Sequence, residues 1–170
     1  MSGKVVHLRE KHDGELGGTP DARDAIRLWL RLLSCTMVVE KRVKRSLADQ
    51  FATTLPRFDI MAALDRTETG LSLSALSQAL LVSNGNITGL VQTLVRSGDV
   101  ELMTVPGDRR TALVKLTVSG RARFRAMASV HHGWIEAMFA GLSKAETAQM
   151  LALLDTLKIS IATAGPEKNA

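Results

Sequence analysis

A chain of 170 residues with 45% apolar and 23% charged side chains has the makings of one packed core and is too apolar for a disordered polymer. Its net charge of +5 and pI near 9.8 favour polyanionic partners. Cys35 stands alone, which excludes an internal disulfide and a cysteine-based zinc site and fits a reducing, cytoplasmic compartment. No apolar run approaches the roughly 20 residues of a membrane helix, and the first residues lack the basic-then-apolar order of a signal peptide.

Residues 1–18 mix charges with Gly14, Gly17 and Gly18 and show no sustained period, so a flexible arm is expected. Thr19-Pro20 reads as a cap followed by a proline at the first helical position. A long helix should run to about Ala48, with Ile26, Trp29, Leu33, Met37, Val38, Val43 and Leu47 on its apolar stripe. Lys41-Arg42-Val43-Lys44-Arg45 lies on that helix. A solvated face is its plainer reading and phosphate binding the other. Cys35 is expected as a small buried hydrophobe, whereas a redox sensor would need an accessible thiolate.

Thr54-Leu55-Pro56 starts a second helix with Phe58, Met61, Ala62 and Leu64, which stops near Glu68-Thr69-Gly70. Ser72 should cap a third, with Leu73, Leu76 and Leu80 inside. Leu81-Val82 is then a turn, Ser83 the next cap, and Gly98 the terminator of a fourth helix. That fourth helix, Asn84 to Arg96, hides Ile87, Leu90, Val91 and Leu94 at i, i+3, i+4, i+7. Its other side is centred on Gly85, Gly89, Gln92 and Arg96, flanked by Thr88 and Thr93. Amide, hydroxyl and bare backbone suit the edge of a base pair, which is read by donors and acceptors.

Val100–Val105 and Thr111–Leu116 are β-rich runs joined by Pro106-Gly107-Asp108. Arg109 and Arg110 sit at the hairpin tip. Directly after a recognition helix they read as a wing reaching phosphates or an A·T-rich minor groove. Thr117-Val118-Ser119-Gly120 opens a fifth helix, to about Phe139, with Phe124, Met127, His131, Trp134, Ile135 and Met138 on its stripe. His131 reads as a packed, hydrogen-bonded histidine rather than a ligand contact. Adjacent His131 and His132, with no carboxylate at helical ligand spacing, make no metal site. Ser143-Lys144-Ala145-Glu146 is a capping box for a last helix. Met150, Leu154, Leu157 and Ile161 form one row on it, and Leu151, Leu153 and Ile159 lie on other sides. A helix that apolar on several faces wants a partner, so a helical dimer interface is expected.

Leu71 to Gly120 resembles the winged helix-turn-helix of the MarR family of bacterial transcription regulators. The resemblance is carried by Leu76-Ser77, Asn86-Ile87-Thr88, Leu94 and Gly98, and by Asp108-Arg109-Arg110 followed by Val114-Lys115-Leu116-Thr117-Val118-Ser119-Gly120. These match a D-x-R wing and an L-T-x-x-G step. It extends over roughly residues 20–163. It implies a mainly α fold with a small β-hairpin wing: a dimeric winged helix-turn-helix. Residues 1–18 would be a flexible arm and 164–170 a flexible tail. Helices in 19–52 and 121–163 would form the dimerisation region, and 53–120 the DNA-binding domain.

The partners implied are a second copy of the chain and a double-stranded, pseudo-palindromic operator, with half-sites about 34–36 Å apart. The DNA-binding residues would be Ser83, Asn84, Gly85, Asn86, Thr88, Gly89, Gln92 and Arg96 on the helix, with Asp108 bracing the wing and Arg109 and Arg110 reaching the duplex. Two departures stand out: Gly89 where the family often has a basic residue, and Asp99 where it has an apolar one. Affinity would then rest more on the wing and other basic residues.

Family members are commonly released from DNA by small aromatic or lipophilic ligands. The matching region here would be lined by Trp29, Leu33, Met37, Phe58, Met61, His131 and Trp134, although core packing alone accounts for most of these. Residues 51–65 are similar to MarR regulators of hydroxycinnamate catabolism, some of which answer to a coenzyme A thioester. Arg42, Arg45 and Arg57 would then meet its phosphates. The expectation is a repressor released by an aromatic acid or its aryl-CoA, with no cofactor and no membrane partner. The rivals are a winged domain that binds only protein, which predicts no salt-dependent DNA affinity, a redox sensor through Cys35, and an enzyme, for which no phosphate loop or nucleophile motif is present.

Overall fold

A computed structural model describes residues 20–105 and 108–164, with the side chains of 22–104 and 112–164. The arm, the Thr19 cap, Pro106-Gly107 and most of the tail lie outside them. Helix α1 spans Pro20–Phe51 and runs past its expected end at Ala48. No glycine or proline interrupts it, and it stops only where Ala52 turns left-handed at φ 50°. The Ala52 N–H donates to the Ala48 carbonyl at 3.2 Å and Thr53 N–H to Leu47 at 3.3 Å, which pairs the last orphan carbonyls of that turn.

Helix α2 spans Leu55–Asp65, with Pro56 in its first turn and Thr54 at the cap position, where its side chain makes no cap bond. Strand β1 is Leu71–Ser72 and helix α3 Leu73–Leu80, capped as expected by Ser72 Oγ accepting from Ala75 N–H at 3.1 Å. Helix α4 spans Asn84–Arg96, β2 Val100–Val105 and β3 Asp108–Leu116. Helix α5 spans Val118–Phe139, capped by Thr117 Oγ1 accepting from Gly120 N–H at 2.9 Å. Helix α6, Lys144–Thr163, has the expected capping box. Ser143 Oγ accepts from Glu146 N–H at 3.2 Å, and the Glu146 carboxylate accepts from Ser143 N–H at 2.8 Å. The Ser143 hydroxyl, then its N–H, holds the Glu146 carboxyl below its ordinary range.

The sheet is antiparallel in the order β1-β3-β2. Val100 pairs with Leu116 and Leu102 with Val114. The register shifts between Thr104 and Val105, so that Val105 faces Asp108. β3 therefore starts at Asp108, not Thr111: the ladder carries the strand back towards the turn. β1 was not expected at all. Leu71 and Ser72 pair with Val114 and Leu113, too short a run to show alternation. Gly70 permits the approach, with φ +86° and a position where a Cβ would stand 2.5 Å from the Val114 carbonyl oxygen.

The chain divides into two compact units, residues up to Arg45 and residues from Ser46. In the second, Ile60, Met61 and Leu64 of α2, Leu76 of α3, Ile87, Val91 and Leu94 of α4, Val114 of β3 and Met127 of α5 are buried. Each such side chain contributes about 1.5–3 kcal/mol by leaving water. This gives the mainly helical, winged architecture expected from the sequence. In the first unit Trp29 and Met37 are each 60% exposed. Cys35 is exposed too, a correction to its expected burial. It shares a helix face with Arg31, Val38 and Arg42, all exposed, so nothing on that face is packed in a single chain. In α6 no residue is buried, and Leu151, Leu153, Ile159 and Ile161 are all exposed.

Candidate nucleic-acid interface

Between α3 and α4 the chain reverses sharply. Leu81 adopts φ 54°, a left-handed conformation that costs a non-glycine residue about 1–2 kcal/mol. The turn is held by Val82 N–H donating to the Ser77 carbonyl at 3.2 Å and by the Ser77 hydroxyl donating back to the Val82 carbonyl. Helix α4 then starts at Asn84. Ser83 occupies its cap position, but its side chain makes no cap bond, a correction to the expected role. Its carbonyl accepts from Ile87 N–H at 3.1 Å, so the N–H groups of 84–86 precede the first intrahelical bond and point out of the helix.

The two sides of α4 separate as the periodicity requires. Ile87, Val91 and Leu94 are buried and Leu90, expected with them, is only half-buried, while Ser83, Asn84, Gly85, Asn86, Gly89, Gln92 and Arg96 are exposed and Thr88 is half-buried. Thr88 and Thr93 spend their hydroxyl protons on the helix itself, donating to the Asn84 and Gly89 carbonyls at 2.9 and 3.0 Å. Arg96 donates to Thr93 Oγ1 at 3.1 Å. The freely presented groups are therefore the Asn84, Asn86 and Gln92 amides.

A Cβ added at Gly85 or Gly89 meets nothing within 4 Å. Packing therefore does not require glycine at either position. Gly89→Ala should stabilise the fold by up to about 1 kcal/mol through helix propensity. If the bare backbone lies against the bases, the same substitution should weaken DNA binding. Urea melts and DNA titrations on the one variant separate the effects, and unchanged affinity would remove Gly89 from the interface.

The far end of α4 is welded to the wing and to α5. Gly98, at φ +72°, donates to the Val95 carbonyl and Asp99 N–H to Leu94, both at 3.0 Å. This is the Schellman pattern expected of Gly98. Such ends usually place an apolar residue next, but Asp99 is there instead, only 5% exposed. Its carboxylate accepts from the Ser97 hydroxyl at 2.6 Å and from Arg123 at 2.7 Å. Thr117 closes the junction, its N–H donating to the Asp99 carbonyl at 3.1 Å and its hydroxyl to Gly98 at 2.7 Å. Asp99 is visible in the sequence as a departure from the family pattern, but its partner is not. A lone acid after a helix-ending glycine was the available signal, but nothing local pointed to Arg123.

Asp108, Arg109 and Arg110 open β3; Asp108 faces Val105 of β2, and the arginines fall in the register shift before Ala112. Their side chains lie outside the described ones. The backbone places them at the β2–β3 turn and on the strand rather than in a free loop.

The expected effector residues fall in different surroundings. Trp29, Leu33, Met37, Arg42 and Arg45 are exposed on the unit that ends at Arg45. In the other unit Met61 is fully buried and Phe58 nearly so. Arg57 is half-buried, its Nε enclosed without a hydrogen-bond partner. The Phe58 ring centroid lies 4.9 Å from His131 and 5.4 Å from Phe124. His131 is 6.1 Å from Trp134, which is 6.2 Å from Phe51. His131 is thus packed among rings, as expected, but the hydrogen bond expected with that packing is not found among the described residues. Among the described residues no group of three metal-type side chains comes together.

Burial, then the neighbouring His132, lowers the His131 pKa from its ordinary 6.5. The unfolded chain therefore binds more protons than the folded one below that value. Stability from this site is full above pH 6.5 and is lost as pH falls through the folded-state pKa. Urea midpoints at pH 7.5 and about 5.5 should diverge less in His131→Leu than in wild type.

No family model matches the chain. It is 34% identical over 106 residues to the transcriptional activatory protein BadR of Rhodopseudomonas palustris, covering 61% of this chain and 60% of that relative. The match thus spans less than two thirds of that protein's length. It is 26% identical over 137 residues to the HTH-type transcriptional regulator PecS of Dickeya dadantii, covering 79% and 82%. Among solved structures, a MarR family transcriptional regulator from Silicibacter pomeroyi superposes with a TM-score of 0.72 at 30% identity, over 85% of this chain and 99% of that one.

Proposed function

The chain belongs to the MarR family of transcriptional regulators, and from that premise we propose that it is a DNA-binding, ligand-responsive homodimeric regulator that reads a pseudo-palindromic operator. The observation that carries the reading is α4. One side of it buries Ile87, Val91 and Leu94, and the other presents Asn84, Asn86, Gln92 and unobstructed backbone at Gly85 and Gly89. Among the described residues such a face packs against nothing, and its amides are of the donor and acceptor type that reads base edges in the major groove. Arg109 and Arg110 reach phosphates or the minor groove from the wing, and the net charge of +5 supplies the long-range attraction. No helix of the described chain is long and apolar enough to cross a membrane.

Dimerisation is supported by α6, whose apolar side chains stay exposed in the single chain. Leu153→Glu or Ile161→Glu should shift the species seen in sedimentation from dimer to monomer at micromolar concentration. A wild-type chain that sediments as a monomer would contradict the proposal.

The effector is proposed as a small aromatic acid or its coenzyme A thioester, met by the ring cluster of Phe58, His131 and Trp134 and by Arg57. A ligand acts by binding one spacing of the recognition helices better than another. Release of a repressor is the simplest outcome. The second reading, activation, is favoured by the relative from Rhodopseudomonas palustris, which is an activatory protein. The test is DNA binding to the region upstream of its own gene, with and without aromatic acids and their CoA thioesters, paired with transcription from that region. Ligand-induced release with derepression supports the first reading, and ligand-dependent transcription without release the second. Binding untouched by every compound rejects the effector.

A further inference from the structure

Arg123 is bound at both ends. One guanidinium nitrogen donates to Asp99 Oδ2 at 2.7 Å and the other to the Phe51 carbonyl at 3.1 Å. Phe51 is the last residue of α1, so that carbonyl is one of the groups a helix C-terminus leaves unpaired, at the negative end of its dipole. Asp99 is the residue directly behind the Schellman end of α4, and its own N–H donates to Leu94 inside that helix. Arg123 lies on α5, which is fixed to the same corner by Thr117 and by Gly120, where a Cβ would overlap the Asp99 carbonyl oxygen. A single planar side chain therefore joins the end of α1, the first turns of α5 and the exit of α4. Its fork geometry suits two acceptors held at fixed angles, which a lysine ammonium on a flexible stem does not reproduce.

From this geometry we infer that Arg123 is a positioning residue: it makes the orientation of α4 follow the end of α1, without touching DNA itself. The inference rests on the reading of α4 as the DNA-reading helix. Apolar contact at this corner would hold α4 in place equally well. A buried carboxylate bridged to another helix's carbonyl adds direction, because the hydrogen bonds weaken steeply when either end tilts. A tilt at the end of α1 then reaches α4 through two bonds rather than through slack packing. β2 begins at Val100, adjacent to Asp99, so one strand of the wing leaves from the same corner.

The test uses the full chain with Arg123→Leu and Arg123→Lys, and its first readout needs no DNA. Hydrogen exchange should speed up together over 47–53 and 94–99 in both variants, while α3 and the centre of α2 stay protected. Exchange altered at one end only, or raised evenly over the whole chain, would overturn the tie. The second readout compares affinity for the DNA upstream of its own gene with that for a scrambled fragment of equal length. Arg123→Leu should cut that ratio about tenfold or more and leave the salt dependence on the scrambled fragment unchanged. A shallower salt dependence would make Arg123 a phosphate contact and overturn the inference. An unchanged ratio would reduce the tie to a local brace. If Arg123→Leu does not fold, Arg123→Lys carries both readouts. If wild type shows no preference for the upstream fragment, the DNA reading fails, and the exchange pattern still decides whether the two helix ends are coupled.

Discussion

Gly120→Ala is expected to cost the fold about 3 kcal/mol or more, enough to leave a small domain largely unfolded at 37 °C. A Cβ at this position overlaps the Asp99 carbonyl oxygen and stands 2.6 Å from its carbon. Both are backbone atoms, and neither can swing aside. Asp99 is pinned by its N–H to Leu94, its carbonyl to Thr117 N–H and its carboxylate to Arg123. Relief therefore requires α5 to part from α4, which opens the corner around the buried Val100 and Phe124. Gly133→Ala is the control. It lies within α5 with nothing within 4 Å of the added carbon, so it should stabilise by up to about 1 kcal/mol. Urea melts of both variants check the pair. A Gly120→Ala protein as stable as wild type would mean that the corner is looser than these distances require.

The second large effect is on DNA. Replacing Arg109 and Arg110 together by alanine should weaken binding about 10–100-fold near 100 mM salt. The slope of log affinity against log salt should become shallower by about 2, close to the counterions released by two phosphate contacts. These residues start β3 at the β2–β3 turn, so the melting midpoint should barely move. If Arg110 enters an A·T-rich minor groove, Arg110→Lys should lose preference for such flanks while keeping most of the salt slope, because a lysine supplies charge without the planar fork. Anisotropy titrations at several salt concentrations read both quantities. Equal slopes in wild type and the double variant would remove the wing from the interface.

What the sequence made legible were features with a local cause. The inner stripe of α4 follows from Ile87, Val91 and Leu94 at helical spacing, and its outer face follows by rotation alone. Ser72, Gly98 and the Ser143–Glu146 box are short-range chemistry, and each makes the hydrogen bonds its position implies. What stayed hidden depended on distant partners. β1 exists only because Leu71 finds Val114 across the sheet. β3 begins at Asp108 because the ladder with Val105 extends past the β-rich run. Ser83 has the right residue type for a cap and its side chain makes no such bond. Cys35 follows the apolar character of its helix in type but not in exposure, as do Trp29, Met37 and Val38 on the same stretch of α1. The tie through Arg123 joins positions 51, 99 and 123, and no window of the sequence contains all of them. On α4 the inner and outer sides were readable by rotation; the Thr88 and Thr93 hydroxyls, which turn back onto their own helix, were not. The wing arginines were readable in type and approximate place.

The measurement that bears most directly on the central claim is the salt dependence of binding to the DNA upstream of its own gene, set against a scrambled fragment of the same length. A DNA-reading dimer should prefer the upstream fragment by about 10³-fold or more, and its affinity for both should fall steeply between about 50 and 200 mM salt. Equal, weak affinity for the two fragments with little response to salt would contradict the account and leave the winged domain a surface for binding protein.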